Sequence, residues 1–333
     1  MNYVNEYTVS LNRISITNLL PEIGPEEARG EIIEGLRARQ KHISSKFFYN
    51  REGSLLFEEI TRLKEYYPTR TEKGILRQIS PDLMNRYQAY DLVELGPGDH
   101  SKISILLHAR AALKLPSARY LPLDISQPAI RNSAESLVST FPNLLVEGYA
   151  VDFLSQFDPI RRKQPSLICF FGSTIGNFEW EESLLLLENV TSQMKKGDAL
   201  LLGMDLIKPE PVLHLAYNDA RGVTEAFNKN ILSSVNDLIR SDFRKEDFDH
   251  LAFYNHEKSR MEMYLVANKD ISIQSPLLQG DFMLSQGEAI HTENSHKYNV
   301  EHIREIAKFT GLQLRQIHTD ELEWFAIAEF RKL

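Results

Sequence analysis

Between residues 91 and 207 short apolar runs alternate with amphipathic segments, and this alternation restricts the fold more than any other feature. DLVEL, ARYLPLD, LLVEGYAV, SLICFF and ALLLGMDL each have strand length and are apolar almost throughout. Strands of that kind belong to a parallel sheet covered on both faces. Between them SKISILLHAR, AIRNSAESLVSTF and EESLLLLENVTSQM read as helices. Strand alternating with helix predicts a doubly wound α/β architecture, with ligands bound where the strands end.

The flanking sequence follows other rhythms. A helix is expected from Glu26 to about Lys41, with Ile32, Ile33 and Leu36 on its apolar side. The aromatic cluster Phe47, Phe48 and Tyr49 precedes a second helix around Leu55–Leu63. Pro68 restricts Tyr67 and cannot continue a helix, so the next one is expected to begin near Thr71. After Pro209 and Pro211 the strand–helix alternation stops. HLAYNDARGVTEAFNKNILSSVNDLI is helical in character, and MEMYLVA reads as a strand. The last stretch returns to helix, Gly311, strand, turn and strand. The expected organisation is a sheet domain at 71–207 completed by 298–333, with a smaller domain built from 12–70 and 208–297. A single decorated domain is the alternative.

A hydrophobic fraction of 42% with 25% charged residues is that of a globular protein. The net charge of −8 disfavours a nucleic-acid partner, whose phosphates call for basic surfaces. The single cysteine, Cys169, excludes an internal disulfide and reads as a small buried hydrophobe in its strand. The first twenty residues lack the basic start and apolar block of a secretion signal, and no run approaches the ~20 apolar residues of a membrane span. A cytoplasmic location without membrane attachment is expected. The histidines are dispersed; His250 and His256 lack the usual companion ligands, so no metal is expected.

Three features follow consecutive strands. In VELGPGD, Gly96 and Gly98 permit unusual dihedrals and close backbone approach by a ligand. The motif matches neither the GxxxxGK phosphate loop nor a full GxGxxG fingerprint. Asp124 ends the second strand, where a carboxylate can accept hydrogen bonds from two ribose hydroxyls or simply cap a turn. Asp152 and Phe153 follow the third, offering a polar group and an aromatic wall to an adenine, or a loop cap and a core anchor. Their shared position at one edge of the sheet suits a nucleoside cofactor with no phosphate to neutralise.

FFYNREGSLLFEEIT, EYYPTRTE, LVELGPGD, FFGSTIGNF, LLLGMDLIK, AYNDARGVTEAFNKNIL and HTENSHKY, spanning about residues 47 to 298, carry a specific likeness. The chain resembles the histidine-specific methyltransferase family, whose members make trimethylated histidine on the route to ergothioneine. The resemblance implies a class I, Rossmann-like methyltransferase sheet with a second, substrate-binding domain, S-adenosylmethionine as methyl donor, and a monomer. It puts Tyr66, Gly96, Lys102, Asp124, Asp152 and Phe153 around the cofactor. It puts Tyr49, Gly172, Asn177 and Tyr217 around the amine and carboxylate of the substrate, with Met263 lining the pocket. Glu293 and Ser295 address the side chain, a carboxylate to accept and a hydroxyl to donate, as an imidazole requires.

The implied reaction is Nα-methylation of free histidine in three transfers, with Tyr49 and Asn177 orienting the amine and Tyr49 relaying its proton. Pro97 stands where members often carry a small polar residue, and Asn50 where they commonly carry an acid. Two alternatives are methylation of another amino acid, such as tryptophan or a derivative, and a non-catalytic binding protein.

Overall fold

The computed structural model describes residues 13–20, 25–152, 163–278 and 282–333. In chain order its elements are β1 (Ile14–Asn18), α1 (Pro25–Arg37), α2 (Arg51–Arg62), α3 (Tyr67–Arg86), β2 (Asp91–Leu95), α4 (Ser101–Ala112), β3 (Arg119–Asp124), α5 (Gln127–Thr140), β4 (Leu145–Ala150), β5 (Ser166–Phe170), α6 (Trp180–Ser192) and β6 (Ala199–Asp205). There follow α7 (Glu210–Tyr217), α8 (Val223–Ile239), β7 (Phe248–Asn255), β8 (Arg260–Ala267), β9 (Ile271–Ile273), β10 (Phe282–Leu284), β11 (Ala289–His296), α9 (Val300–Thr310), β12 (Gln313–Thr319) and β13 (Phe325–Arg331). The chain divides into two compact units, one of residues 1–21, 70–206 and 298–333, the other of 22–69 and 207–297.

The first unit is built on a sheet with the strand order β1-β4-β3-β2-β5-β6-β13-β12. The six strands from β1 to β6 pair in parallel, while β13 and β12 return antiparallel at one edge. The chain winds outward from β2 through β3 to β4, then restarts at β5 on the other side of β2. This reversal makes the carboxyl ends of β2 and β5 the topological switch point, where an open sheet leaves a crevice.

Period-two alternation sorts the strand side chains between two cores. Val93, Leu95, Ile168, Phe170, Leu200 and Leu202 face Leu186, Leu187 and Val190 of α6 and Ile303 and Ile306 of α9. Leu92, Leu167, Cys169, Ala199 and Leu201 face Leu76 of α3, Leu106 of α4 and Leu137 of α5. Cys169 is a free, buried thiol in that second layer.

Two local expectations are corrected. Residues 14–18, assigned above to the smaller domain, form β1 and pair with β4 from Ile14↔Val146 to Asn18↔Ala150. Ile16 is buried against Ile130 and Ala150, so the sheet captures this segment through a pairing no local pattern encodes. Helix α3 begins at Tyr67 rather than near Thr71. Pro68 thus sits in its first turn, where a missing amide removes no helical bond.

In the second unit the helical stretch after Pro211 is two helices. Gly222, at φ 71°, and Asp219 separate them; the Asp219 carboxylate accepts the amides of Val223 at 3.0 Å and Thr224 at 2.8 Å. Helix α8 packs on α2, and β11-β8-β7 form an antiparallel sheet. A bulge lies between His291 and Glu293, after which Glu293 pairs with Met263 and Ser295 with Met261. The one hydrogen of the buried Thr292 hydroxyl has Asn228 Oδ1 at 2.7 Å and the Met263 carbonyl at 3.1 Å within reach, which anchors the bulge.

Candidate active site

In the sheet unit the candidate residues follow β2, β3, β4 and β5. Gly96 and Gly98 adopt φ of 58° and 57°, left-handed values that glycine takes without steric cost. The Gly96 amide donates to the Leu123 carbonyl at 2.8 Å, tying this loop to β3. A methyl group added at Gly98 would meet none of the described residues within 4 Å.

Asp124 accepts the Ser126 amide at 2.8 Å and is bonded by the amides of Gly98 and Ile125 as well. Burial nevertheless pushes its carboxyl up. The capping role and a link to the glycine loop therefore coexist in one carboxylate. Asp152 is half-buried just after β4; Phe153 lies outside the described residues. Glu94, next to the end of β2, is buried and accepts the Tyr120 hydroxyl at 2.5 Å. Burial pushes its carboxyl up to about 8, although Tyr120 and the Lys102 ammonium pull the other way.

Lys102 lies in the first turn of α4 and pairs with Glu72 at 2.7 Å. Glu72, fully buried on α3, also accepts the Gly172 amide, at 2.9 and 3.0 Å from its two oxygens. A Cβ at Gly203 of β6 would stand 2.3 Å from Glu72 Oε1, so glycine there makes room for the carboxylate. Lys102 and Gly172, given to cofactor and substrate separately by the resemblance, thus hang on one acid. Sequence reasoning missed Glu72, whose place in YYPTRTE was the available signal. Asn177, half-buried, closes a short 3₁₀ turn (Thr174–Asn177) that follows Ser173 at φ 57°. The Ser173 hydroxyl accepts the Asp205 amide at 2.9 Å and so fastens this turn to the end of β6.

In the second unit Tyr49 is 45% exposed at the end of a 3₁₀ turn (Ser45–Phe48). Its ring meets Phe57 edge-on at 5.8 Å and Phe227 at 6.1 Å, and Tyr66 meets Phe57 edge-on at 6.3 Å. Asn50 caps α2 by accepting the Gly53 amide at 2.8 Å. The same side chain accepts from Asn230 at 2.9 Å and donates to Ser234 at 3.0 Å. An amide can do both; an ionised acid could only accept.

Tyr217 and Ser295 come together, with 2.7 Å between their hydroxyls. Lys297 is 1% exposed and bonds Ser295 Oγ at 2.6 Å and the Tyr217 hydroxyl at 3.2 Å. The Tyr217 carbonyl is held by His250 Nε2 at 3.0 Å, while His250 Nδ1 meets the Asn228 amide nitrogen at 2.9 Å. Burial lowers the His250 pKa. A neutral ring accepting at Nδ1 and donating from Nε2 satisfies both contacts.

Met263 is buried directly across from Glu293. Glu293 is half-buried, and burial pushes its carboxyl up to about 7 against the opposing pull of Lys297. Sequence reasoning missed Lys297, Asn228 and His250, although Lys297 closes HTENSHKY and Asn228 lies in AFNKN. Among the described residues no group of three or more His, Cys, Asp or Glu side chains is gathered as a metal site requires, and no helix is long and apolar enough to cross a membrane.

Residues 28–332 match the family described as histidine-specific, S-adenosylmethionine-dependent methyltransferases. The histidine N-alpha-methyltransferase of Mycolicibacterium smegmatis is 36% identical over 92% of this chain and 94% of its own length. That of Mycobacterium tuberculosis is 34% identical over 95% and 98%. Ergothioneine biosynthesis protein 1 of Schizosaccharomyces pombe is 29% identical over 79% of this chain, which spans 35% of that longer protein. This near full-length likeness establishes that the chain belongs to the histidine-specific, S-adenosylmethionine-dependent methyltransferase family.

Proposed function

We propose that the enzyme methylates the α-amine of free L-histidine three times, ending at the quaternary amine. S-Adenosylmethionine supplies the methyl group as an activated sulfonium, so the chain needs no covalent nucleophile. Tyr66, Gly96, Lys102, Asp124, Asp152 and Phe153 hold this cofactor. Their chemistry fits it: carboxylates for the ribose hydroxyls and the adenine amine, an ammonium for the amino-acid carboxylate, and a glycine at 98 whose Cβ position meets none of the described residues.

Tyr49, Gly172, Asn177 and Tyr217 grip the amine and carboxylate of the substrate, Met263 lines the pocket, and Glu293 and Ser295 face the imidazole. One observation carries the choice of histidine. Glu293 and Ser295 stand two residues apart on β11, on the side shared with Met263 and Met261 of β8, so an acceptor and a hydroxyl point the same way. A neutral imidazole presents one N–H and one bare nitrogen to such a pair.

Tyr49 and Asn177 orient the amine, which must shed a proton before its lone pair can attack. A terminal-type amine has an ordinary pKa of about 8, so no strong base is needed. Tyr49, 45% exposed as a residue, relays that proton directly or through water. The faces of Tyr49 and its aromatic neighbours favour the cationic centre as methyl groups accumulate.

The test is mass spectrometry of the purified protein incubated with S-adenosylmethionine and the twenty free amino acids. Trimethylated histidine as the methylated product is expected. Methylation of another amino acid would leave the cofactor assignment standing and overturn the imidazole assignment. No methylated product would overturn both.

A further inference from the structure

Lys297 is among the largest fully buried side chains of the protein. Its backbone amide is fixed to the Ser259 carbonyl at 2.8 Å, and its ammonium lies 5.2 Å over the Tyr217 ring. Burying an ammonium is costly unless its hydrogens find acceptors, and the acceptors here include Ser295 Oγ and the Tyr217 hydroxyl.

Counting hydrogens fixes the polarity of this triangle. An ammonium has only hydrogens to give, so Lys297 donates to both oxygens. One hydrogen remains to be placed between Tyr217 and Ser295. A phenol is the stronger donor of the two, and the 2.7 Å bond accordingly runs from Tyr217 to Ser295. Ser295 then accepts twice, from Lys297 and from Tyr217, which fills both acceptor positions of a hydroxyl. Its own hydrogen can only be donated elsewhere.

We propose that Lys297 is a specificity-determining positioning residue, which compels Ser295 to act as a hydrogen-bond donor toward the substrate ring. This rests on the reading of Ser295 and Glu293 as the side-chain site. A bare ring nitrogen is admitted at Ser295, and a ring N–H there is rejected. With Glu293 accepting, the pair selects neutral imidazole in one tautomer. An indole carries one N–H and no bare nitrogen, so it can satisfy Glu293 but leaves the Ser295 hydrogen unpaired. Leaving that group unmatched costs about tenfold or more in relative affinity.

The experiment measures calorimetric binding of histidine and of tryptophan to the full chain in the presence of S-adenosylhomocysteine, which prevents turnover. Lys297→Met is expected to shrink the preference for histidine about tenfold. In a Ser295→Ala background the same substitution is expected to change that preference less than about twofold, because the two residues act as a unit. An unchanged preference in Lys297→Met, or an equal change in both backgrounds, would overturn the inference.

Nitrogen NMR of labelled histidine bound to the wild type needs no variant to fold. One neutral tautomer with a hydrogen-bonded bare nitrogen is expected, and an imidazolium pattern overturns the proposal. A wild type that binds no histidine fails the functional reading itself. One that binds it as imidazolium, or whose preference ignores Lys297, fails only the present inference.

Discussion

Glu94 and Glu329 are buried acids on strands of the same sheet, and their carboxyls move in opposite directions. Glu94 lies toward the carboxyl end of β2 beside the glycine loop, and burial pushes it up to about 8. Glu329 pairs with Leu201 near the opposite end of the neighbouring parallel strand. Burial pushes Glu329 up too, but hydrogen bonds from His318, Tyr87 and Arg86 outweigh it and bring the carboxyl down to about 2. Both Arg86 contacts are 2.7 Å, Tyr87 donates at 2.6 Å, and Arg315 adds a contact at 3.1 Å. One end of the sheet offsets its buried charge; the other, where the glycine loop starts, leaves it short of compensation. Perturbed acids of this second kind collect where ligands and chemistry are.

The largest expected effect comes from the compensated end. Glu329→Gln should destabilise the protein by about 3 kcal/mol at neutral pH, since it removes a fully buried carboxylate whose ionised form is held by Arg86 and Tyr87. Because the folded carboxyl is depressed, its contribution is present above the ordinary value of 4.5 and is lost as pH falls toward about 2. Urea unfolding should therefore show a gap between wild type and variant that narrows below about pH 4.5.

The opposite sign is expected at Glu94. Its raised carboxyl keeps a proton that the unfolded chain loses, so the ligand-free wild type loses stability as pH rises from 4.5 through about 8. Glu94→Gln abolishes that loss and should gain roughly 2 kcal/mol at alkaline pH, with little change near pH 4.5. Equal effects at both pH values would break the contrast between the two ends.

Glu293 extends the comparison into the second unit. On the proposed reading its ionised form accepts the imidazole N–H more strongly than its protonated form, and burial pushes its carboxyl up to about 7. Histidine KM is expected to rise as pH drops below about 7. Glu293→Gln should raise KM about tenfold at pH 8 and leave only the slope due to the substrate's own imidazole, near 6.5. A KM profile identical in wild type and variant would remove Glu293 from the site.

Much of this was legible locally. The five strands from β2 to β6, the burial of Cys169 and the left-handed glycines all follow from periodicity and backbone sterics within a few residues. Helix α3 starts earlier than Pro68 suggests, because the first helical turn tolerates a proline. The residues expected at the substrate were legible only through the family motifs, since each tyrosine and polar residue among them also has an ordinary packing or capping role.

By itself the sequence determined which segments become strands and helices, because hydrogen-bond patterns and side-chain periods repeat over short stretches. Only the tertiary structure decided what the buried charges touch. Glu72 meets the Gly172 amide across 100 positions, Arg86 meets Glu329 across 243, and Lys297 meets Tyr217 across 80. It likewise gave Ile14–Asn18 to the sheet edge and set the bulge that precedes Glu293. A buried charge is tolerated only where partners converge on it, and those partners come from segments far apart in the chain.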